Sequence, residues 1–176
     1  ENNILIKDAE SLELAHKVTA IILDKTGTIT EGRPSVTDLH FRDKIKTDVI
    51  KGILLSIESQ SEHPLAEAVV KRLKEEHVAA IPVDAVESIT GKGIKAKLNG
   101  SIYLVGNEKL MNAHGVVLMG TLMNKASVLQ DEAKTVIYFA EGQTLVGVLA
   151  IADTIKESSG NAIAILQRKG IEVHML

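Results

Sequence analysis

The sequence predicts an α/β fold in which a parallel-sheet domain is interrupted by an inserted antiparallel α+β domain. A strand-like run near the N-terminus and a strand-helix-strand pattern near the C-terminus both suit a parallel sheet. Between them, amphipathic helices precede short strands separated by glycine turns, which suits an antiparallel layer. We therefore expect a split domain, residues 1–40 and 144–176, around an inserted domain, residues 41–143.

Local patterns indicate the elements of the split domain. The apolar, β-branched run before Asp24 predicts a buried strand, and the cluster Glu31–Pro34 predicts a turn. An amphipathic segment with Asp8 or Ser11 as cap predicts the first helix. The predicted strands are 19–24, 35–41, 144–152 and 171–176, and the predicted helices are a short one within the segment 4–16 and one at 158–169.

The inserted domain is predicted from helical stripes and hairpin turns. A stripe that starts at Thr47 predicts one helix, and Pro64, in a favoured first-turn position, starts the next. Asn99-Gly100 is a strong hairpin signal. The remaining predicted strands are 85–89, 93–98, 101–105 and 135–140, and the remaining predicted helices are 108–113 and 122–132.

The composition excludes several classes of function. Of the 176 residues, 45% are hydrophobic but only 2% are aromatic, so the core must be aliphatic. The net charge of −3 comes from interspersed charges, which gives no support for nucleic-acid binding. Without cysteine there are no disulfides or thiolate metal sites. No apolar run reaches the roughly 18–20 residues that span a bilayer, so we expect this chain to be soluble.

The first functional signal is the carboxylate at the end of the strand predicted at 19–24. The carboxyl ends of parallel strands present reactive groups, and Asp24 stands there, followed by Lys25-Thr26-Gly27-Thr28. A carboxylate in this position can attack a phosphoryl group and hold it as an acyl phosphate. Gly27 allows a tight turn whose amides can line a phosphate concavity. A capping Asp at an ordinary strand-to-turn junction is the structural alternative.

The run from Asp24 to Thr28 resembles, residue for residue, the phosphorylation motif of the P-type ATPases. The resemblance implies a haloacid-dehalogenase-like Rossmannoid phosphorylation domain, incomplete in this chain, and an aspartate, Asp24, that ATP phosphorylates. Lys25, Thr26 and Thr28 complete the catalytic motif. Phosphatases of that superfamily usually carry a general-acid Asp where this chain has Thr26. Thr26 cannot exchange a proton near neutral pH, so the acyl phosphate is expected to persist.

The second signal is Ser61-Glu62-His63-Pro64-Leu65-Ala66. His63 falls at the cap of the helix that Pro64 starts, where its ring can reach a ligand, and Glu58 faces the same connection. Taken alone, a His-Pro pair also fits a helix cap without a ligand. After the Asp24 motif, this stretch resembles the nucleotide-binding domain of heavy-metal-transporting P-type ATPases. That resemblance implies that Glu58 and His63 contact or orient the adenine of ATP.

The third signal is the glycine pair Gly91 and Gly93, which allows close approach of the backbone to a ligand. Taken alone, such a pair fits a β-bulge or a tight corner. The same ATPases have a pair here and a Gly-Asn at a later strand end, as this chain has in Gly106-Asn107. By this resemblance Gly91, Gly93 and Asn107 also surround the ATP.

The resemblance further implies partial sites for phosphate and Mg²⁺. Asp153 opens an Asp-x-x-Lys element that implies support of the phosphate site or hinge, with a helix N-cap as the alternative. Asp24 and the Thr26 carbonyl are the implied Mg²⁺ ligands. The family completes that site with later Thr-Gly-Asp and Gly-Asp-Gly elements, which this chain does not contain. We therefore expect the chain to bind nucleotide but to phosphorylate poorly or not at all.

The function predicted from these motifs is the ATP-binding and phosphorylation region of a heavy-metal cation pump. The sequence of residues 4–10 resembles copper pumps more than zinc pumps, which favours a copper-exporting pump. The resemblance implies a place on the cytoplasmic face of a membrane protein, with ATP, the membrane helices and the actuator domain as partners. It implies that the transported ion is not bound here. A haloacid-dehalogenase-type phosphatase and a non-catalytic nucleotide-binding module are the alternatives.

Overall fold

The structure is a computed structural model that describes Leu5 and residues 8–176, without the side chains of Ser11 and Leu12. The helices are α1 (Ala9–Ala15), α2 (Thr47–Glu58), α3 (Pro64–Glu75), α4 (Glu108–Ala113), α5 (Thr121–Asp131) and α6 (Glu157–Arg168). The strands are β1 (Ala20–Leu23), β2 (Thr30–Phe41), β3 (Ala85–Ile89), β4 (Gly93–Leu98), β5 (Ser101–Gly106), β6 (Thr135–Glu141), β7 (Thr144–Ile155) and β8 (Glu172–Met175). The predicted α/β fold class is confirmed.

The chain divides into two compact units. Unit 1 runs up to Arg33 and resumes at Asp153–Leu176, and unit 2 is Pro34–Ala152. The sequence analysis places these boundaries at 40/41 and 143/144, at the ends of β2 and β7 that lie inside unit 2. The difference arises because both strands are long and continue as the outer part of the unit 2 sheet. No helix among the described residues is long and apolar enough to cross a membrane.

Unit 2 is built on a six-stranded sheet with the order β2-β7-β6-β5-β4-β3. Neighbouring pairs from β3 to β7 are antiparallel. Along β6, Ile137 and Phe139 pack in one apolar cluster with α2 and α3, whereas Tyr138 and Ala140 pack in another with α4 and α5. Because both faces of the central strands are covered, β6 and β7 read as nearly continuous apolar runs.

Unit 1 contains the parallel pair of β1 and β8, in which Leu23 is opposite Met175. The prediction that β1 is buried is wrong, since Ile22 is 63% exposed. Within the described residues, β8 is the one strand that pairs with β1, and α6 has no buried residue. Little therefore covers the faces of β1.

The turn predicted at Glu31–Pro34 is also wrong, because these residues lie within β2. Gly32 has a φ of 70°, so it accommodates a local irregularity while the strand continues. Turn-forming residues therefore mark a bend inside a strand here.

The segment 4–10, whose sequence favours a copper pump, lies partly outside the described residues.

Candidate functional site

All five residues predicted to bind nucleotide line one cavity of about 360 Å³ in unit 2. We call it the α2–β4 cavity. Its walls come from the end of α2, the start of α3, the β3–β4 turn, the end of β5 and the start of β6. Its lining residues are Glu58, Ser61, His63, Leu65, Ala66, Ser88, Ile89, Thr90, Gly91, Lys92, Gly93, Ile94, Val105, Gly106, Asn107, Thr135, Val136 and Ile137.

Glu58 is the buried carboxyl group of this cavity. It is the last residue of α2 and is only 4% exposed. It falls four positions after Leu54 and eight after Ile50, on the apolar face of the helix, which turns it inward. Burial raises the pKa of Glu58 to about 7, because desolvation disfavours the ionised form. Near neutral pH this side chain is therefore divided between its acid and its carboxylate form.

His63 is the N-cap of α3, as its position before Pro64 predicted. Its Nδ1 accepts a hydrogen bond from the Leu65 amide at 3.2 Å, and its own amide donates to the Ser61 hydroxyl at 3.3 Å. A neutral imidazole that accepts at Nδ1 carries its proton on Nε2. The ring is exposed, so it offers that N–H as a donor to a ligand while it caps the helix.

Gly93 and Gly106 lie opposite each other where β4 and β5 approach closely. A Cβ on Gly93 would lie 2.1 Å from the Val105 carbonyl oxygen, and its φ is 141°. Gly91 has a φ of 68° and open space at the Cβ position. The two predicted glycines therefore differ: Gly93 is required for strand packing, whereas Gly91 is required for the turn itself.

Asn107 fixes the β3–β4 turn against the start of α4. Its Nδ2 donates to the Gly91 carbonyl at 2.9 Å, and its Oδ1 accepts from the Leu110 amide at 3.1 Å. Its backbone amide donates to the Lys92 carbonyl at 2.9 Å. Asn107 thus holds the backbone that forms one wall of the cavity, in addition to lining it.

Asp24 lies directly after β1 and is exposed, with a backbone φ of −66° and ψ of 140°. The segment that follows, Lys25–Ile29, is an irregular turn in which Gly27 has a φ of 77°. The Thr30 hydroxyl accepts from the Gly27 amide at 3.2 Å, and Thr30 is buried. The motif therefore presents Asp24 to solvent on a turn that is closed by Thr30.

Asp153 and the residues after it, in the C-terminal part of unit 1, stabilise this turn through hydrogen bonds. Its Oδ2 accepts from the Thr30 hydroxyl at 2.5 Å, and its Oδ1 accepts from the Arg33 amide at 3.1 Å. Lys156 Nζ donates to the Gly27 carbonyl at 2.6 Å, and the Ser159 hydroxyl donates to the Ile29 carbonyl at 2.8 Å. Both carboxylate oxygens of Asp153 thus bind the start of β2, directly after the turn that follows Asp24.

Sequence reasoning missed Thr30, Lys156 and Ser159 as individual contributors to the turn. Lys156 lay within the Asp-x-x-Lys element that was singled out, so the spacing pointed to it without naming its partner. Thr30 and Ser159 carry no motif signal, because an ordinary hydroxyl becomes informative only when its neighbour is known. The burial of Glu58 was predictable from its place on the α2 stripe.

A second cavity, of about 500 Å³, lies elsewhere in unit 2 and holds none of the predicted residues. It is lined by Phe41, Arg42, Asp43, Val117, Met119, Gly120, Thr121, Leu122, Lys125, Gln143, Thr144 and Leu145. It is the larger of the two. The α2–β4 cavity nevertheless combines a buried acid, an available imidazole N–H and a glycine turn. These groups can recognise a nucleotide base, and for recognition they matter more than the volume of a cavity.

The haloacid dehalogenase-like hydrolase family matches residues 18–176. The chain belongs to this family. It is 41% identical over 176 residues to the probable copper-exporting P-type ATPase of Archaeoglobus fulgidus and 39% identical over 176 residues to the copper-exporting P-type ATPase of Staphylococcus aureus. Each match covers 100% of this chain and 21% of the relative.

A solved structure of a zinc-transporting PIB-type ATPase in the E2.Pi state matches with a TM-score of 0.79 at 25% identity. The match covers 90% of this chain and 25% of that one. The predicted resemblance to heavy-metal P-type ATPases is confirmed. This haloacid dehalogenase-like chain spans about a fifth of the length of its curated relatives.

Proposed function

We propose that ATP binds in the α2–β4 cavity and phosphorylates Asp24, and that the intact protein uses the aspartyl phosphate to move a heavy-metal ion. The observation that carries this proposal is that Glu58, His63, Gly91, Gly93 and Asn107 line one cavity. These residues come from four separate parts of unit 2, and their resemblance to one nucleotide site rests on sequence motifs alone.

The cavity offers each part of the base a partner. Glu58 provides a buried polar group at the end of α2, and His63 provides an Nε2–H donor at the start of α3. The apolar walls, such as Ile94 and Val136, suit the faces of a purine ring. Gly91 has no side chain to keep the ligand away from the backbone, and Asn107 holds that backbone in place.

Asp24 supplies the nucleophile. One carboxylate oxygen forms a bond to the γ-phosphorus while the bond from that phosphorus to the β–γ bridging oxygen breaks, and ADP leaves with the electron pair. Thr26 cannot act as an acid or base near neutral pH, which favours a long-lived acyl phosphate. Thr30, Asp153 and Lys156 hold the turn, so the position of Asp24 is set before the phosphate arrives.

The residues present fit part of a Mg²⁺ site. Mg²⁺ is usually bound by one or two carboxylates together with phosphate oxygens and water, and the exposed Asp24 carboxylate with the Thr26 carbonyl provides oxygen ligands of that kind. Within the described residues, no group of three or more His, Asp or Glu forms a fuller metal site. When bound, Mg²⁺ would neutralise negative charge on the transferred phosphate.

We further propose copper as the transported ion and export as the direction. The support is that the copper-exporting relatives are 41% and 39% identical to this chain over its whole length. In the intact protein the chain would lie on the cytoplasmic face of the membrane. Its partners there would be the membrane helices and the actuator domain of the same polypeptide.

The test of Asp24 is phosphorylation of the full-length protein by γ-labelled ATP. We expect acid-stable, hydroxylamine-sensitive label in the wild type and in Asp43→Asn, and none in Asp24→Asn. Asp43 is the matched control, an exposed Asp in unit 2 outside both the motif and the α2–β4 cavity. Label of wild-type strength in Asp24→Asn would contradict the proposal.

A further inference from the structure

Glu58 differs from the other polar groups of the α2–β4 cavity in being almost completely buried. Its neighbours along the last turns of α2 are Leu54, Leu55 and Ile57, all of them buried as well. The wall formed by β6 contributes Val136 and Ile137, and the wall formed by β4 and β5 contributes Ile94 and Val105. A carboxyl group in such surroundings is held among apolar atoms rather than in water.

The charged groups that face Glu58 are few. Besides Glu58, the ionisable residues lining the cavity are His63 from the start of α3 and Lys92 from the β3–β4 turn. Both are exposed, and the cavity walls from β5 and β6 contribute no ionisable side chain. No ion pair joins Glu58 to a Lys, Arg or His in the described part of the chain. Burial without a nearby cation raises the pKa of Glu58 to about 7.

The two forms of a carboxyl group differ in what they can bind. Each adenine edge that carries the 6-amino group places this donor beside a ring nitrogen that only accepts. An ionised carboxylate has acceptors alone, so one oxygen would face the ring nitrogen without a proton between them. A protonated carboxyl group donates through O–H and accepts through C=O. It therefore matches the adenine edge in the way that the amide of Gln or Asn does.

We propose that Glu58 recognises adenine as a neutral carboxylic acid, donating its O–H to a ring nitrogen and accepting a hydrogen bond from the 6-amino group. This inference rests on the proposed function of the α2–β4 cavity as the ATP site. The family resemblance already implies a contact between Glu58 and adenine, and the inference adds the protonation state in which Glu58 makes it. Glutamine reproduces the same donor and acceptor pair, so Glu58→Gln keeps adenine binding at every pH. In the wild type, adenine binding weakens as Glu58 ionises.

The experiment is calorimetric measurement of the Kd for ATP with this chain and with Glu58→Gln, at about pH 6 and about pH 8. The ratio of the two Kd values at each pH cancels every pH effect that the two proteins share, such as the titration of the triphosphate. We expect a ratio near one at the lower pH and about tenfold weaker wild-type binding at the higher pH, because the competent fraction falls as Glu58 ionises. Glu67→Gln, an exposed Glu of α3 that does not line the cavity, serves as control and should follow the wild type.

A second measurement needs no variant. The ¹³Cδ shift of Glu58, titrated with and without ATP, gives its pKa in both states, and binding to the neutral form raises that pKa. A lowered pKa, or a Kd ratio that stays flat with pH, would overturn the inference while the ATP site stands. Loss of ATP binding in Glu58→Gln at the lower pH would do the same. No ATP binding to the wild type would overturn both the inference and the proposed site.

Discussion

Glu58 ties the stability of the protein to pH through its burial. The pKa of Glu58 is raised from 4.5 to about 7, so between these values the folded state holds a proton that the unfolded state has lost. The stabilisation that protonated Glu58 gives the folded state is complete below about pH 4.5 and is lost as the pH rises through about 7. A buried carboxylate then remains, without a cation to pair with it.

The first prediction follows from this linkage. Glu58→Gln cannot ionise, so at about pH 8 its free energy of unfolding should exceed that of the wild type by up to about 3 kcal/mol. The difference should shrink towards pH 5. Urea unfolding at several pH values measures it, with the exposed Glu62→Gln as control. A difference between Glu58→Gln and wild type that does not change with pH would contradict the raised pKa.

The second prediction concerns the hydrogen bond between Thr30 and Asp153. The Thr30 hydroxyl donates to Asp153 Oδ2, and the same carboxylate accepts from the Arg33 amide. We expect a double-mutant cycle of Thr30→Val and Asp153→Ala to show a coupling free energy of about 1–2 kcal/mol, because each single change removes the same hydrogen bond. Additive effects on urea unfolding would show that the contact does not stabilise the turn.

At the scale of elements, the close antiparallel pairing of β4 with β5 shapes one wall of the α2–β4 cavity. Gly93 meets Val105 and Gly106 so closely that any side chain would separate the strands. Gly91, two residues earlier, has a positive φ but open space around it. The two glycines of one motif therefore make a matched pair of test positions.

The third prediction compares alanine at these two positions. Gly93→Ala should lower the free energy of unfolding by about 3 kcal/mol or more, because a Cβ there overlaps backbone atoms. Gly91→Ala should cost only about 1 kcal/mol, from its left-handed backbone conformation. Thermal and urea unfolding of both variants checks the order. Equal losses in the two variants would mean that β4 and β5 are not packed as described.

Elements with a strong local signal were predictable from the sequence. The apolar stripe of α2, the proline that starts α3 and the Asn99-Gly100 hairpin each depend on neighbouring residues alone, and the structure has the element in each case. The burial of β1 was not predictable. An apolar strand is covered only if other strands and helices pack on it, and that depends on contacts far along the chain.

The same reasoning applies to the candidate site. The motifs predicted which residues lie close together, but not the structural role of each residue in the fold. Asn107 caps α4 and ties the β3–β4 turn, and His63 caps α3. Sequence alone could not separate these tasks from ligand binding, because a capping side chain and a binding side chain have the same polar chemistry.

At the scale of the whole molecule, the two units differ in how much they bury. The buried residues of unit 1 among those described are Ile29 and Thr30, whereas unit 2 has two apolar clusters on the faces of its sheet. Burial of apolar surface is the main favourable contribution to folding, so unit 2 should hold most of the stability.

The fourth prediction is a difference in hydrogen exchange between the units. Amides in β1 and β8 should exchange at least about 100-fold faster than those in β6 and β7, because opening unit 1 exposes little apolar surface. Native-state exchange followed by NMR measures this difference in the isolated chain. Equal protection in β1 and β7 would show that unit 1 is stabilised by contacts beyond those described.

The most direct test of the account is titration of the ¹⁵N-labelled chain with ATP. We predict that the largest amide shifts occur at His63, Gly91, Gly93 and Asn107, which line the α2–β4 cavity. Shifts centred instead on the larger cavity, around Phe41, Met119 and Lys125, would contradict the account.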